Sequence, residues 1–193
     1  MLVALFRGAA VFNGRDMIQN EGITHLRYRD NDHRKWSPEF FLQYQWNGAW
    51  GMEYRNVAGA NLRIKLLEKD KNDLYMGVGG FYEMERWNWN GVNASLVPAD
   101  APDIYRDMWR MNTYFKASAK LSQSLDFSAA SFIQFPLNQG FLEPRWYLEA
   151  NLFVNASKKL EFVLHWDHIL DTYRVVPIDD FYYTFSMGLQ LNL

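Results

Sequence analysis

From Phe181 to Leu193 the chain alternates apolar and polar side chains almost without a break, and that period of two constrains the fold more than any other feature. Phe181, Tyr183, Phe185, Met187, Leu189, Leu191 and Leu193 share one side; Tyr182, Thr184, Ser186, Gly188, Gln190 and Asn192 share the other. Successive side chains of a strand point to opposite faces, so the segment reads as a strand with one apolar and one polar face. The same period recurs upstream. Phe40, Leu42, Tyr44 and Trp46 oppose Glu39, Phe41, Gln43 and Gln45. Met111, Thr113, Phe115, Ala117, Ala119 and Leu121 are spaced by two, where a helix would need spacings of three and four.

Carried along the chain, the pattern predicts about ten strands (range 8–12): 2–12, 18–29, 39–46, 50–67, 74–87, 106–121, 125–135, 142–156, 160–170 and 181–193. The first two alternate least well. Asn13-Gly14-Arg15-Asp16 and Asn47-Gly48 carry hairpin-turn chemistry. Segment 30–35 is a polar connection, and 87–105, with Asn90-Gly91, Pro98 and Pro102, is the longest irregular stretch. Short and long connections alternate, as in an up-and-down antiparallel sheet. The expectation is an all-β, single-domain, up-and-down transmembrane β-barrel over residues 1–193.

The polar faces decide which kind of barrel. Alternation gathers Glu39, Glu53, Arg55, Arg63, Lys65, Glu83, Glu85, Arg110, Lys116, Glu143, Arg145, Glu149, His165 and Asp167 on the inward side. A charged interior under an apolar exterior matches a barrel with lipid outside and water inside. No run approaches the roughly 20 apolar residues of a spanning helix, and mean hydropathy is −0.33. Eight Trp and eleven Tyr suit girdles at the two membrane interfaces. About ten strands enclose a narrow interior. Long side chains then meet across it, either as a salt-bridge plug or as a constricted polar channel for small solutes. The alternative is a soluble lipocalin-like barrel binding a small ligand, which needs an apolar interior.

Other chemistries find little support. Net charge is −2 with no basic stripe, which argues against nucleic acid. There is no Cys, hence no disulfide, thiol nucleophile or Cys-bound metal. Glu83 and Glu85 stand two apart on one strand face, a spacing open to glycosidase chemistry, but salt bridges to Arg55, Arg63 or Arg110 explain the pair more simply. His165 and Asp167 share a face while His168 points away, leaving two metal ligands, too few for zinc. Ser128 and Ser131 lack a nucleophile motif. Gly77-Val78-Gly79-Gly80 lies within a strand, where glycine makes room for large inward side chains, as Gly59 does opposite arginines. Trp87 and Trp89, beside Asn88 and Asn90, are the best sugar-stacking candidates. No enzyme activity, cofactor or metal is expected.

Several segments resemble a bacterial outer-membrane family of unknown function named after a salt-stress-induced member. They are Glu39-Phe40-Phe41-Leu42-Gln43-Tyr44-Gln45; Arg55-Asn56-Val57-Ala58-Gly59-Ala60-Asn61-Leu62-Arg63; Tyr82-Glu83-Met84-Glu85; Arg110-Met111-Asn112-Thr113-Tyr114; Gln134-Phe135-Pro136; and Glu143-Pro144-Arg145. The resemblance runs from Pro38 onward. It implies an outer-membrane barrel that meets lipid and the barrel-assembly machinery; it implies no activity and no catalytic residues. Met1–Gly8 does not read as a secretory leader, so a leader and a further N-terminal segment are expected to precede it. The chain ends in Leu193, where such barrels usually end in an aromatic residue.

Overall fold

The computed structural model describes residues 1–14, 16–30, 35–69, 71–138, 142–157 and 159–191. Ten strands follow one another as β1 (Leu2–Asn13), β2 (Asp16–Arg29), β3 (Trp36–Asn47), β4 (Met52–Lys69), β5 (Asn72–Trp87), β6 (Ile104–Lys120), β7 (Leu125–Pro136), β8 (Arg145–Asn155), β9 (Leu160–Asp171) and β10 (Phe181–Leu191). Each pairs antiparallel with the next, giving one up-and-down sheet in sequence order. Asn192, Leu193 and most of segment 30–35 lie outside the described residues.

One local detail departs from the sequence reading. Asn47-Gly48 is not a two-residue hairpin turn. The connection runs through a short 3-10 turn, Gly48–Trp50, capped by the Asn47 side chain, whose Oδ1 accepts from the Trp50 N–H at 3.1 Å. Gly51 ends it at φ 79°, and a Cβ there would lie 2.4 Å from the Asn88 carbonyl oxygen. The added length goes with register shifts between Gln45 and Asn47 and between Met52 and Tyr54. Asn13-Gly14 does turn the chain, with Gly14 at φ 64°.

The sheet curls, but β1 and β10 remain its two edges. The expected closed ring is thus a half-barrel, with no pairing between β1 and β10 among the described residues. The inward sides of the end strands are poor in charge. In β1 both alternating sets are largely apolar (Val3, Leu5 and Val11; Leu2, Ala4 and Phe6), and in β10 the inward set is short and polar (Thr184, Ser186, Gly188 and Gln190). Among the described residues of these two inward sets Arg7 is the one long cation, within electrostatic range of Tyr147 on β8 but in no ion pair there. The side chains that do span the concave face come from β3 to β8, such as Tyr114 to Glu39 and Arg145 to Glu83. Accessible surface is 12139 Å². A compact soluble protein of 22.8 kDa would show about 9,600 Å². The excess fits an open sheet whose convex face is apolar and bare: Phe6, Leu42, Leu62, Trp109, Phe185 and Met187 are all exposed.

Connections at one end are short (70–71, 121–124 and 156–159), while the other end carries 88–103, 137–144 and 172–180. At that longer-looped end Met52, Trp87 and Val176 form the apolar core, packed against Trp50, Trp89, Val92, Ile104, Val175 and Ile178. Segment 172–180 therefore lies over the mouth of the concave face, with Val176 only 1 % exposed.

Candidate functional site: a buried charge network on the concave face

Strand parity turns Glu83 and Glu85 inward together, and register brings cations to them. Arg55 stands opposite Glu85 on β4, and Arg106 stands opposite it on β6. Arg55 reaches Glu83 Oε2 at 2.7 Å from Nη2 and Glu85 Oε1 at 3.2 Å from Nε. Arg106 Nη2 donates to Glu85 Oε2 at 2.7 Å, and its Nη1 donates to the Tyr173 carbonyl, also at 2.7 Å. Arg110 donates to Glu83 from Nε. Arg145 crosses from β8, donating to Glu83 at 3.1 Å, Glu85 at 3.2 Å and Asp171 at 2.8 Å. Glu83 and Arg110 are 0 % exposed, and Glu85 and Asp171 are 2 % exposed.

Buried charges persist only when paired and hydrogen-bonded, and here four guanidinium groups from three strands enclose three carboxylates. Arg55, Arg106 and Arg145 each bring two or more nitrogens to carboxylate or carbonyl oxygens, whereas Arg110 bonds through Nε alone and its two terminal nitrogens are buried without a hydrogen-bond partner among the described residues. Neither Glu83 nor Glu85 is open to a substrate, and both are held by cations, so the glycosidase pairing does not assemble. Above the network, Arg174 lies over the Trp50 and Tyr182 rings at 5.5 and 5.3 Å from their centroids. Burial pushes its guanidinium down from the usual arginine range, while Asp171 works against that shift.

A second cluster lies toward the shorter-looped end. Glu39, 0 % exposed, accepts from Arg29 Nε at 2.6 Å and from the Tyr114 hydroxyl, with Arg63 Nε 3.9 Å away. Arg63 is stacked on Tyr75 at 3.4 Å from the ring centroid. On the β8–β9 wall, His165 bonds Asn151 at 2.8 Å and Asp167 at 2.9 Å, while Glu149 accepts from Tyr147 at 3.4 Å and from Asn151 at 3.2 Å. Both ring nitrogens of His165 are engaged. His168 faces outward among Trp146, Trp166 and Phe181. No group of three His, Cys, Asp or Glu side chains converges as a metal site among the described residues.

Of the residues expected on the inward face, Arg55, Glu83, Glu85, Arg110 and Arg145 meet in the central network. Glu39 and Arg63 belong to the second cluster. Glu149, His165 and Asp167 line the far wall. Lys116 stands exposed between the two. Two expectations need correction, and a third residue stays inward but apart from the clusters. Glu53 sits where the β4 register shifts, and it pairs with Arg86 at 2.9 Å and with Asn88 rather than joining the network. Lys65 keeps the inward parity, opposite Tyr75, but bonds Glu68 at the strand end and joins neither cluster. Glu143 lies in the 137–144 connection, ahead of β8, and joins no ion pair among the described residues. A bulge at Glu53 and a connection at Glu143 break the two-residue parity on which those two assignments rested.

Trp87 is likewise not a stacking platform: it is 2 % exposed, wedged against Met52 and Val176. Trp89 Nε1 donates to the Pro102 carbonyl at 2.8 Å. Gly77 does make room for a large side chain, since a Cβ there would lie 2.0 Å from the Tyr114 ring. Gly59 faces Phe41 and Phe81 rather than arginines.

The sequence reading missed Arg106, Asp171, Arg27 and Arg29. Arg106 shares parity with Arg110, and Asp171 shares it with Asp167, so counting by two would have found both. Arg27 and Arg29 lie on β2, whose weak alternation hid its inward side.

No protein-family model matches the chain, and no curated protein matches it.

Proposed function

We propose that this chain is an outer-membrane β-barrel protein with a structural or stress-related role, its lumen plugged rather than open. The observation that carries the proposal is the central network: Glu83 and Glu85, with almost no exposure, are held by arginines from β4, β6 and β8. Such a web ties distant strands together and leaves no polar path through that level. The lid around Val176 adds an apolar cap above it.

The membrane half of the proposal rests on the convex face. Strands of 11 to 18 residues exceed the 9–11 needed to cross a bilayer at a tilt. Tyr44, Trp46, Tyr54, Trp109 and Trp146 lie toward the longer-looped strand ends, and Tyr28 and Trp36 toward the other, as interfacial girdles do. A lipocalin-like binder would need the opposite arrangement, apolar inside and polar outside. The family resemblance from Pro38 onward points to the same setting.

The test is conductance of the purified protein in planar bilayers, with membrane insertion confirmed by protease protection. The plugged reading expects stable insertion without discrete current steps. Regular steps would replace it with a narrow polar channel, and failure to insert at all would sink the membrane reading.

A further inference from the structure

The second cluster carries more positive charge than its acids can pair. Arg29 and Arg63 share the single carboxylate of Glu39, which also accepts from Tyr114. Arg27 donates from Nε to His25 Nε2 at 3.2 Å and has no carboxylate partner among the described residues. Lys116, inward on β6, makes no hydrogen bond or ion pair among them, yet it lies within electrostatic range of Arg29, Arg27 and Arg63. Three guanidinium groups thus lie within electrostatic range of Lys116, and two of them share the buried carboxylate of Glu39. Glu149 is also in range of Lys116, and an excess of positive charge remains with it included.

The placement makes this excess usable. The four cations project from β2, β4 and β6, rigid elements that fix their spacing. Lys116 is exposed to solvent. The cluster lies toward the end whose connections are short, away from the lid that closes the opposite mouth. Like charges held this close are destabilising unless a counter-charge joins them. Arginine forks favour an anion with several oxygens over a halide, and lysine adds a point charge.

We infer that Arg27, Arg29, Arg63 and Lys116 form a binding site for a small multivalent oxyanion of the phosphate class, open to the shorter-looped end of the concave face. The site requires neither a path through the plug nor a membrane, so it stands apart from the function proposed above. The anion is held by ionic hydrogen bonds to Lys116 and Arg27, whose donors are uncommitted to any carboxylate, while Arg29 and Arg63 set the field.

The test is titration calorimetry of the full chain in detergent micelles with inorganic phosphate, at constant ionic strength maintained with sodium chloride. Saturable binding at one site is expected, weakened about tenfold by Lys116→Gln and similarly by Arg27→Gln. Lys159→Gln removes the same charge from an exposed turn at the same end and is expected to leave binding unchanged. Lys116 is exposed and makes no hydrogen bond or ion pair among the described residues, so its variant is expected to keep the fold, which circular dichroism verifies. Absence of saturable binding, or equal losses in the Lys116 and Lys159 variants, overturns the inference. Because the measurement is made in micelles, its failure leaves the bilayer experiment untouched, and failure of the bilayer experiment leaves this one standing.

Discussion

Replacing Arg145 with Met asks how much the central network contributes to stability. Arg145 touches three carboxylates, and they do not lose equally. Glu83 keeps Arg55 and Arg110; Glu85 keeps Arg55 and Arg106. Asp171 keeps the Tyr173 N–H at 3.3 Å and, among the described residues, one cation in ion-pair range, Arg174 at 3.9 Å; its side chain is 3 % exposed. The variant therefore strands one buried carboxylate and weakens two others. Breaking a buried pair from one side costs about 3–5 kcal/mol, and the Asp171 loss alone places Arg145→Met in that range. Removing the stranded charge as well should relieve the penalty, so Arg145→Met with Asp171→Leu is expected to recover about half of it or more. Reversible urea unfolding in phospholipid vesicles, followed by tryptophan fluorescence, measures both. The reasoning is refuted if Arg145→Met falls within about 1 kcal/mol of the parent, the scale of an exposed pair, or if the double variant is no more stable than the single one.

Three further outcomes test other parts of the fold. Gly77→Ala drives a methyl into the Tyr114 ring, where a Cβ would stand 2.0 Å away; a loss of about 1–3 kcal/mol is expected. Gly188→Ala, where nothing lies within 4 Å, serves as its control, and equal melting temperatures would contradict the packing argument. Val176→Ala opens a cavity beside Trp87, so a loss of about 1–3 kcal/mol should accompany a red-shifted tryptophan emission; unchanged emission would show that the lid does not shield that ring. The edge strand β10 carries no charged residue and no proline along Phe181–Leu191, so nothing in its sequence discourages pairing. In lipid every backbone donor needs a partner, so alternate amides of β10 that exchange rapidly in detergent should become protected after reconstitution; continued fast exchange in vesicles would count against membrane insertion.

Much of the architecture is legible in the chain itself. The period of two sets ten strands, their inward and outward faces and the apolar exterior, because strand geometry sends side chains alternately to opposite sides wherever the backbone stays regular. That is why Glu83, Glu85, Arg55 and Arg110 were recognisable as neighbours from spacing alone. The rule fails where regularity fails. The register shift at Glu53 and the connection holding Glu143 remove those two from the inward set, and a period count has no term for a bulge.

The tertiary structure alone decided which charges meet. Arg145 reaches Glu83 across the concave face, and Glu39 gathers Arg29, Arg63 and Tyr114 from three different strands. Sheet curvature and stagger set those encounters, and neither quantity is written in any one strand. The same holds for the lid, because Val176 lies far along the chain from Met52 and Trp87 and is buried only when the last long connection folds over the mouth. Pairing between neighbouring strands follows from local alternation; the partners of a buried charge follow from how tightly the whole sheet curls.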